Sequence, residues 1–189
     1  VLIIIDDLDK LETQFAQRVF YDNSDLLLLP EAKIVYTFPL DTYYCADFIR
    51  IKDRYEDQFI SVVNLQTADG QQLASSQNAL TKLIARRIDH SLVTKEAAQY
   101  AINMSGGLLR DLVKFMQDAC KLALVDNLSV IEQNTVDEAV NDYITDYYRV
   151  FDFPAYIDKV KYIAKTKNKE DMKIDNQTLV TLLRFLFVL

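Results

Sequence analysis

The chain opens on an unbroken apolar run, Val1-Leu2-Ile3-Ile4-Ile5, which stops at the acidic stretch Asp6-Asp7-Leu8-Asp9. A run with no polar alternation predicts a strand covered on both faces, as in parallel sheets packed between helices. A second strand of this kind is predicted over residues 32–38, closed by Pro39. Between the two, Leu11, Phe15, Val19 and Phe20 recur at helical spacing until the polar cluster Asp22-Asn23-Ser24-Asp25, and a short amphipathic piece, 26–29, stops at Pro30. Strand, helix, strand at this spacing predicts a βαβ unit with parallel strands. A further helix is expected over 42–51, a third strand over 58–65, and a polar loop or exposed helix start over 66–78.

From Ala79 onward the apolar positions follow the helical period alone. Leu80, Leu83, Ile84 and Ile88 mark one stripe, and Ala97, Ala98, Ala101 and Ile102 a second, stopped by Ser105-Gly106-Gly107. Leu112, Phe115, Met116, Ala119, Leu122 and Ala123 mark a third, and Thr135-Val136-Asp137-Glu138 reads as a capping box opening a fourth helix. Short connections between such helices predict a small bundle. In the tail, Pro154 suits a first helical turn and Leu179, Leu182, Leu183 and Leu186 repeat at helical spacing. The fold class expected is therefore α/β followed by all-α: a partial α/β domain over 1–78, a helical domain over 79–151 and a helical tail over 152–189.

Composition supports this division. Half of the 189 residues are apolar, enough for a core, and only 3 Gly and 3 Pro occur, which favours helices with short joints over a β-sandwich. No apolar run reaches the length of a membrane span and no signal peptide is legible, so a cytoplasmic, non-membrane protein is expected. Cys45 and Cys120 lie far apart in helical segments and read as free thiols, and with His90 the sole histidine neither a zinc site nor a Ser-His-Asp triad has support. The net charge of −7 argues against general nucleic-acid binding. Lys159, Lys161, Lys165, Lys167, Lys169 and Lys173 nevertheless concentrate positive charge, either as a solvated face or as a DNA-binding patch. An apolar strand at the first residue and an apolar run at the last predict that the chain is part of a longer one.

The chemistry on offer lies at strand ends. Asp6 and Asp7 stand where open α/β sheets place ligands, and such a pair can hold a Mg²⁺-bound water and orient an attacking one. Equally, the two can make a turn, with Asp9 capping the next helix. Thr37 ends the second strand on the same sheet edge, and its hydroxyl suits either a water and a terminal phosphate or local backbone groups.

The order Leu2-Ile3-Ile4-Ile5-Asp6-Asp7-Leu8-Asp9, then Ile34-Val35-Tyr36-Thr37, then Ser105-Gly106-Gly107-Leu108-Leu109-Arg110-Asp111-Leu112 resembles P-loop ATPases of the AAA+ and STAND type, over roughly residues 1–150. The resemblance implies the remnant of a parallel P-loop NTPase sheet with a helical lid, then the start of a winged-helix or helical domain. It implies ATP and Mg²⁺ as cofactors, Asp6 in the Walker B role of holding the metal through water and Asp7 as the water-activating group. It likewise implies Thr37 as sensor 1 and Arg110 as sensor 2, with Arg50 or Arg54 as a finger toward a neighbouring subunit. No G-x-x-x-x-G-K-[ST] occurs in the chain, and Asp7 stands where many such enzymes carry glutamate. The expectation is thus the back half of an ATP hydrolase that couples lid closure to a protein partner or self-association. The alternative is a degenerate, non-catalytic module that binds protein or DNA.

Overall fold

The computed structural model describes residues 1–67, 69–150, 153–166, 178 and 181–182. The chain divides into two compact units, Val1–Phe59 with Pro154–Leu189, and Ile60–Phe153.

In the first unit, β1 (Leu2–Ile5) pairs in parallel with β2 (Lys33–Tyr36), Leu2 opposite Lys33 and Ile5 opposite Tyr36. The amide of Thr37 prolongs the ladder, donating to the Ile5 carbonyl at 3.1 Å. The crossover holds a 3-10 turn at Leu8–Lys10, α1 (Thr13–Gln17), a π-helical turn at Arg18–Asp22 and α2 (Ser24–Leu28). Its core forms around Ala16, Phe20, Tyr21 and Ile51, with Tyr36, Phe38 and Phe48 against them. Phe20 sits 4.6 Å from Phe38 and 6.2 Å from Tyr36, ring centre to ring centre. These aromatic pairs join the crossover to β2 and to the segment that follows it.

Two expectations fail in this unit. β1 is not buried: Leu2 is 61% exposed and Ile4 66%. A strand is buried on both faces only where layers cover both, and among the described residues the sheet has two strands, while the packed rings of the crossover meet β2. The helix expected over 42–51 is also broken. α3 spans only Leu40–Tyr43, Cys45 is extended at ψ 146°, and 3-10 turns follow at Ala46–Arg50 and Lys52–Arg54. The break lets Phe48 fold back on Tyr43, with ring centres 4.4 Å apart.

The second unit holds α4 (Ala74–Ala85), α5 (Lys95–Met104), α6 (Leu109–Val125) and α7 (Gln133–Val150). Leu80, Ile84, Ile102, Leu112, Phe115 and Met116 fill the core as their spacing predicts, Val136 and Val140 of α7 join them, and Ala97, Ala101, Ala119 and Ala139 keep the helices close. Thr94 caps α5, its Oγ1 accepting from the Ala97 amide at 3.2 Å. The expected box at Thr135 does not cap α7, which starts two residues earlier at Gln133 and leaves Thr135 buried in its first turn. Asn127, at φ 53°, ends α6 and lets the Leu128 amide reach back to the Ala123 carbonyl at 2.8 Å.

Residues 58–65 do not form the third strand. Val63 and Leu65 pack on the helical core, and the Val63 amide donates to the carbonyl of Gly107 at 3.3 Å. An extended apolar segment needs a partner for its amides, and here a helix connection supplies one.

Helix α8 (Phe153–Thr166) carries Lys159, Lys161 and Lys165. Lys159 donates to the Thr178 hydroxyl at 3.0 Å. Lys167, Lys169 and Lys173, like Leu179, Leu183 and Leu186, lie outside the described residues, whereas Leu182 is buried. Among the described residues, no helix is long and apolar enough to cross a membrane.

Candidate functional site

The carboxyl edge of the parallel pair gathers the acidic stretch and Thr37. After Ile5 the backbone must turn sharply, and Asp7 does so in the left-handed region, at φ 67° and ψ 2°. Aspartate tolerates this conformation better than most residues because its short side chain bonds locally. Asp6 assists, its Oδ1 accepting from the Asp7 amide at 2.8 Å.

Thr37 finishes the turn from the facing strand. Its Oγ1 accepts from the amides of Leu8 at 3.0 Å and Asp9 at 3.3 Å. The hydroxyl therefore does satisfy backbone groups, and those groups belong to the acidic stretch. Both acceptor positions are used, while the O–H remains a donor.

Asp6, Asp7 and Asp9 are exposed, and each places a carboxylate oxygen within 4.8 Å of the others. Three like charges this close repel one another, and Lys10 relieves part of it through an ion pair from Nζ to Asp7 Oδ1. The hydrogen bond and charge of Asp7 hold the Lys10 ammonium above its ordinary pKa. Both partners are 72% exposed, so the pair is readily broken. Lys10 was not singled out from the sequence, although its place three residues after Asp7 in a tight turn is the signal that could have found it.

Hard carboxylate oxygens are the donor type that Mg²⁺ takes, usually through retained waters. To that extent the acidic edge fits the metal that the resemblance implies. A phosphate cradle has no counterpart among the described residues.

Arg110 belongs to the second unit, in the first turn of α6. Its Nε donates to Asp111 Oδ1 at 3.4 Å, and Asp111 also accepts from the Tyr143 hydroxyl at 3.1 Å. With 66% of its side chain exposed, the guanidinium can reach a ligand without leaving a buried site. The structure thus brings Asp6, Asp7 and Thr37 together, and Arg110 stands on its own unit. Arg54 is already engaged, bonded to Ser24 Oγ and to the Asp25 carboxylate.

A buried carboxylate between α1 and α3 escaped the sequence reading. Asp41 accepts from the Thr13 hydroxyl at 2.8 Å and the Thr42 amide at 2.6 Å, tying α1 to α3. Aspartate two positions after Pro39, at a helix start, is the pattern that announces it. In the second unit a shallow hollow of about 340 Å³ is lined by Gln72, Gln77, Gln99 and Asn103. Their amides already bond to one another, which leaves it little unmet chemistry. Comparison of the chain with protein-family models, curated proteins and solved structures returns no match.

Proposed function

We propose that this chain is part of a nucleotide-dependent ATPase of the AAA+/STAND type, in which the acidic edge of the sheet handles Mg²⁺ and water while Arg110 answers to the terminal phosphate. The observation that carries the reading is the joint placement of a carboxylate pair and a threonine hydroxyl at the carboxyl ends of adjacent parallel strands. In this reading Asp6 would hold Mg²⁺ through water, and bound Mg²⁺ supplies charge neutralisation at the phosphates.

Asp7 would accept a hydrogen bond from the attacking water and draw off its proton as the new oxygen–phosphorus bond forms and the bond from the terminal phosphorus to the bridging oxygen breaks, with ADP as the leaving group. For this it parts from Lys10, a small step for so exposed a pair. Thr37 donates its hydroxyl hydrogen toward the same water or a phosphate oxygen, while its lone pairs keep the turn in shape. For Arg110 the resemblance implies a contact to the terminal phosphate; on its own unit the side chain is exposed and holds only the one long contact to Asp111, which such a role would exchange.

ATP turnover by the whole protein tests this. Asp7→Asn keeps a residue at home in the left-handed region but removes the base, and should lower turnover by about a hundredfold or more. Undiminished turnover would exclude Asp7 as the water-activating group.

The exposed apolar side chains of β1 favour a second reading, a non-catalytic module of the same fold class whose bare sheet seats a protein partner. ATP with Mg²⁺ separates the two. A ligand of the folded state raises the melting temperature of the whole protein, and no shift selects the non-catalytic module. A DNA-binding version of that module predicts an affinity that falls with salt and is lost on replacing Lys165, Lys167 and Lys169.

A further inference from the structure

We propose that Gly107 is a backbone latch: it seats residues 63–65 on the start of α6 and thereby fixes the first helical turn, which carries Arg110. The two neighbouring glycines differ in what surrounds them. Gly106, at φ +58°, has nothing within 4 Å of where a Cβ would stand. At Gly107, φ +88°, a Cβ would overlap the carbonyl oxygen of Val63 and lie 2.9 Å from its carbonyl carbon. These are main-chain atoms, and no side-chain rotation moves them aside. Both glycines serve the handedness of the turn, but only Gly107 also permits a main-chain approach.

The seat is bonded as well as close. The Val63 amide donates to the Gly107 carbonyl at 3.3 Å, and the Leu65 side chain lies 3.6 Å from the vacant Cβ position. Beyond it, the Leu73 amide donates to the Leu65 carbonyl at 2.9 Å and Gln66 pairs with Gln72, so the strap is closed at its far end. Under the glycines, buried Ser105 accepts from the Gly107 amide at 3.2 Å and donates to the Ile102 carbonyl at 2.7 Å. The turn is thereby tied to α5 on one side and to the strap on the other. The next bond, from the Leu112 amide to the Leu108 carbonyl at 3.0 Å, closes the turn of α6 that holds Arg110.

What Arg110 does from that turn rests on the ATPase reading above; the latch itself is tested without nucleotide. Amide hydrogen exchange is followed residue by residue in the wild type and in Gly107→Ala, Gly106→Ala and Leu65→Ala. In the wild type the Val63 amide is protected. Gly107→Ala should speed exchange at Val63, Leu73 and Leu112 by about tenfold or more, while Ala119, in the middle of α6, keeps its rate. Gly106→Ala carries the left-handed strain without the collision and should leave Val63 unchanged. Leu65→Ala introduces no collision yet loosens the same strap, so it carries the test if Gly107→Ala does not fold. An unprotected Val63 amide in the wild type, equal effects of the two glycine variants, or a freed Val63 with an unmoved Leu112 would overturn the latch. Absence of ATP turnover in the whole protein would instead count against the ATPase reading and leave the exchange results to decide the latch.

Discussion

The hydroxyl oxygen of Thr37 lies 3.0 Å from the amide nitrogen of Leu8, a residue 29 positions away on the neighbouring strand's exit. A side chain, rather than the next rung of the ladder, completes the sheet at this end and shapes the acidic turn. One group thus carries a structural task and, in the function proposed, a chemical one.

Thr37→Val keeps the shape and removes the acceptor from the amides of Leu8 and Asp9. The loss should cost about 1–2 kcal/mol, read as a lower denaturant midpoint with unchanged slope. Thr37→Ser restores the oxygen and should recover most of the stability and, in the whole protein, most of the ATP turnover that valine removes. A valine variant as stable as the wild type would mean that water satisfies both amides and that the hydroxyl does not hold the turn.

Asp7 is held at φ 67°, where a residue with a Cβ pays a conformational cost that glycine does not. Asp7→Gly should therefore leave stability unchanged or raise it by up to about 1 kcal/mol, while abolishing turnover in the whole protein. Thermal melting and ATP hydrolysis measured on the same preparation check the two halves. A marked drop in melting temperature would show that the Asp7 carboxylate and its bond to Lys10 contribute more to the fold than to any chemistry.

The parts of the fold legible in the sequence are those whose period needs no partner. The alanine and leucine stripes of α5 and α6 name their own buried faces, and the runs at 2–5 and 33–36 name their strands. What failed depends on neighbours. The apolar run of β1 says that it suits burial, but covering it takes layers that the described residues do not supply. Residues 58–65 look like a strand because extended, β-branched sequence serves equally well in a strap pinned to a glycine carbonyl. At the site, Asp6, Asp7 and Thr37 were legible because each ends a strand on one edge. The two amides taken up by Thr37 were not, since they depend on side-chain direction and on residues 28 and 29 positions away. The Lys10 pair and the buried Asp41 left only local signals, a lysine three residues after Asp7 and an aspartate after Pro39, which do not say what either side chain meets.

Neither cysteine is disulfide-bonded, and burial raises the pKa of each. Cys45 is raised further by the carboxylates of Asp41 and Asp47. A raised pKa means less thiolate at neutral pH, so both should react with a thiol reagent more slowly in the native chain than after denaturation. Timed labelling with and without denaturant measures this. Native reaction as fast as in the unfolded chain at Cys45 would mean that the packing of α3 against the crossover opens readily.

Asp118 on α6 is gripped by two lysines, at 2.9 Å from Lys114 and 2.8 Å from Lys121. Partial burial works against its charge, but the bonds to Lys121 and Lys114 outweigh that and hold its carboxyl below the ordinary carboxylate range. A group whose folded pKa is depressed contributes stability above its unfolded value, about 3.9, and loses it as pH falls through the folded value. Helical pairs of this spacing contribute about 0.3–0.5 kcal/mol each, so Asp118→Asn should cost about 0.5–1 kcal/mol at pH 7. The gap between wild type and variant should persist down to about pH 4 and close below it. It should also narrow in high salt, which screens such partly exposed pairs. Denaturant titrations of both proteins across that pH range decide the matter: a gap that survives strong acid would assign the effect of Asp118 to packing rather than to its charge.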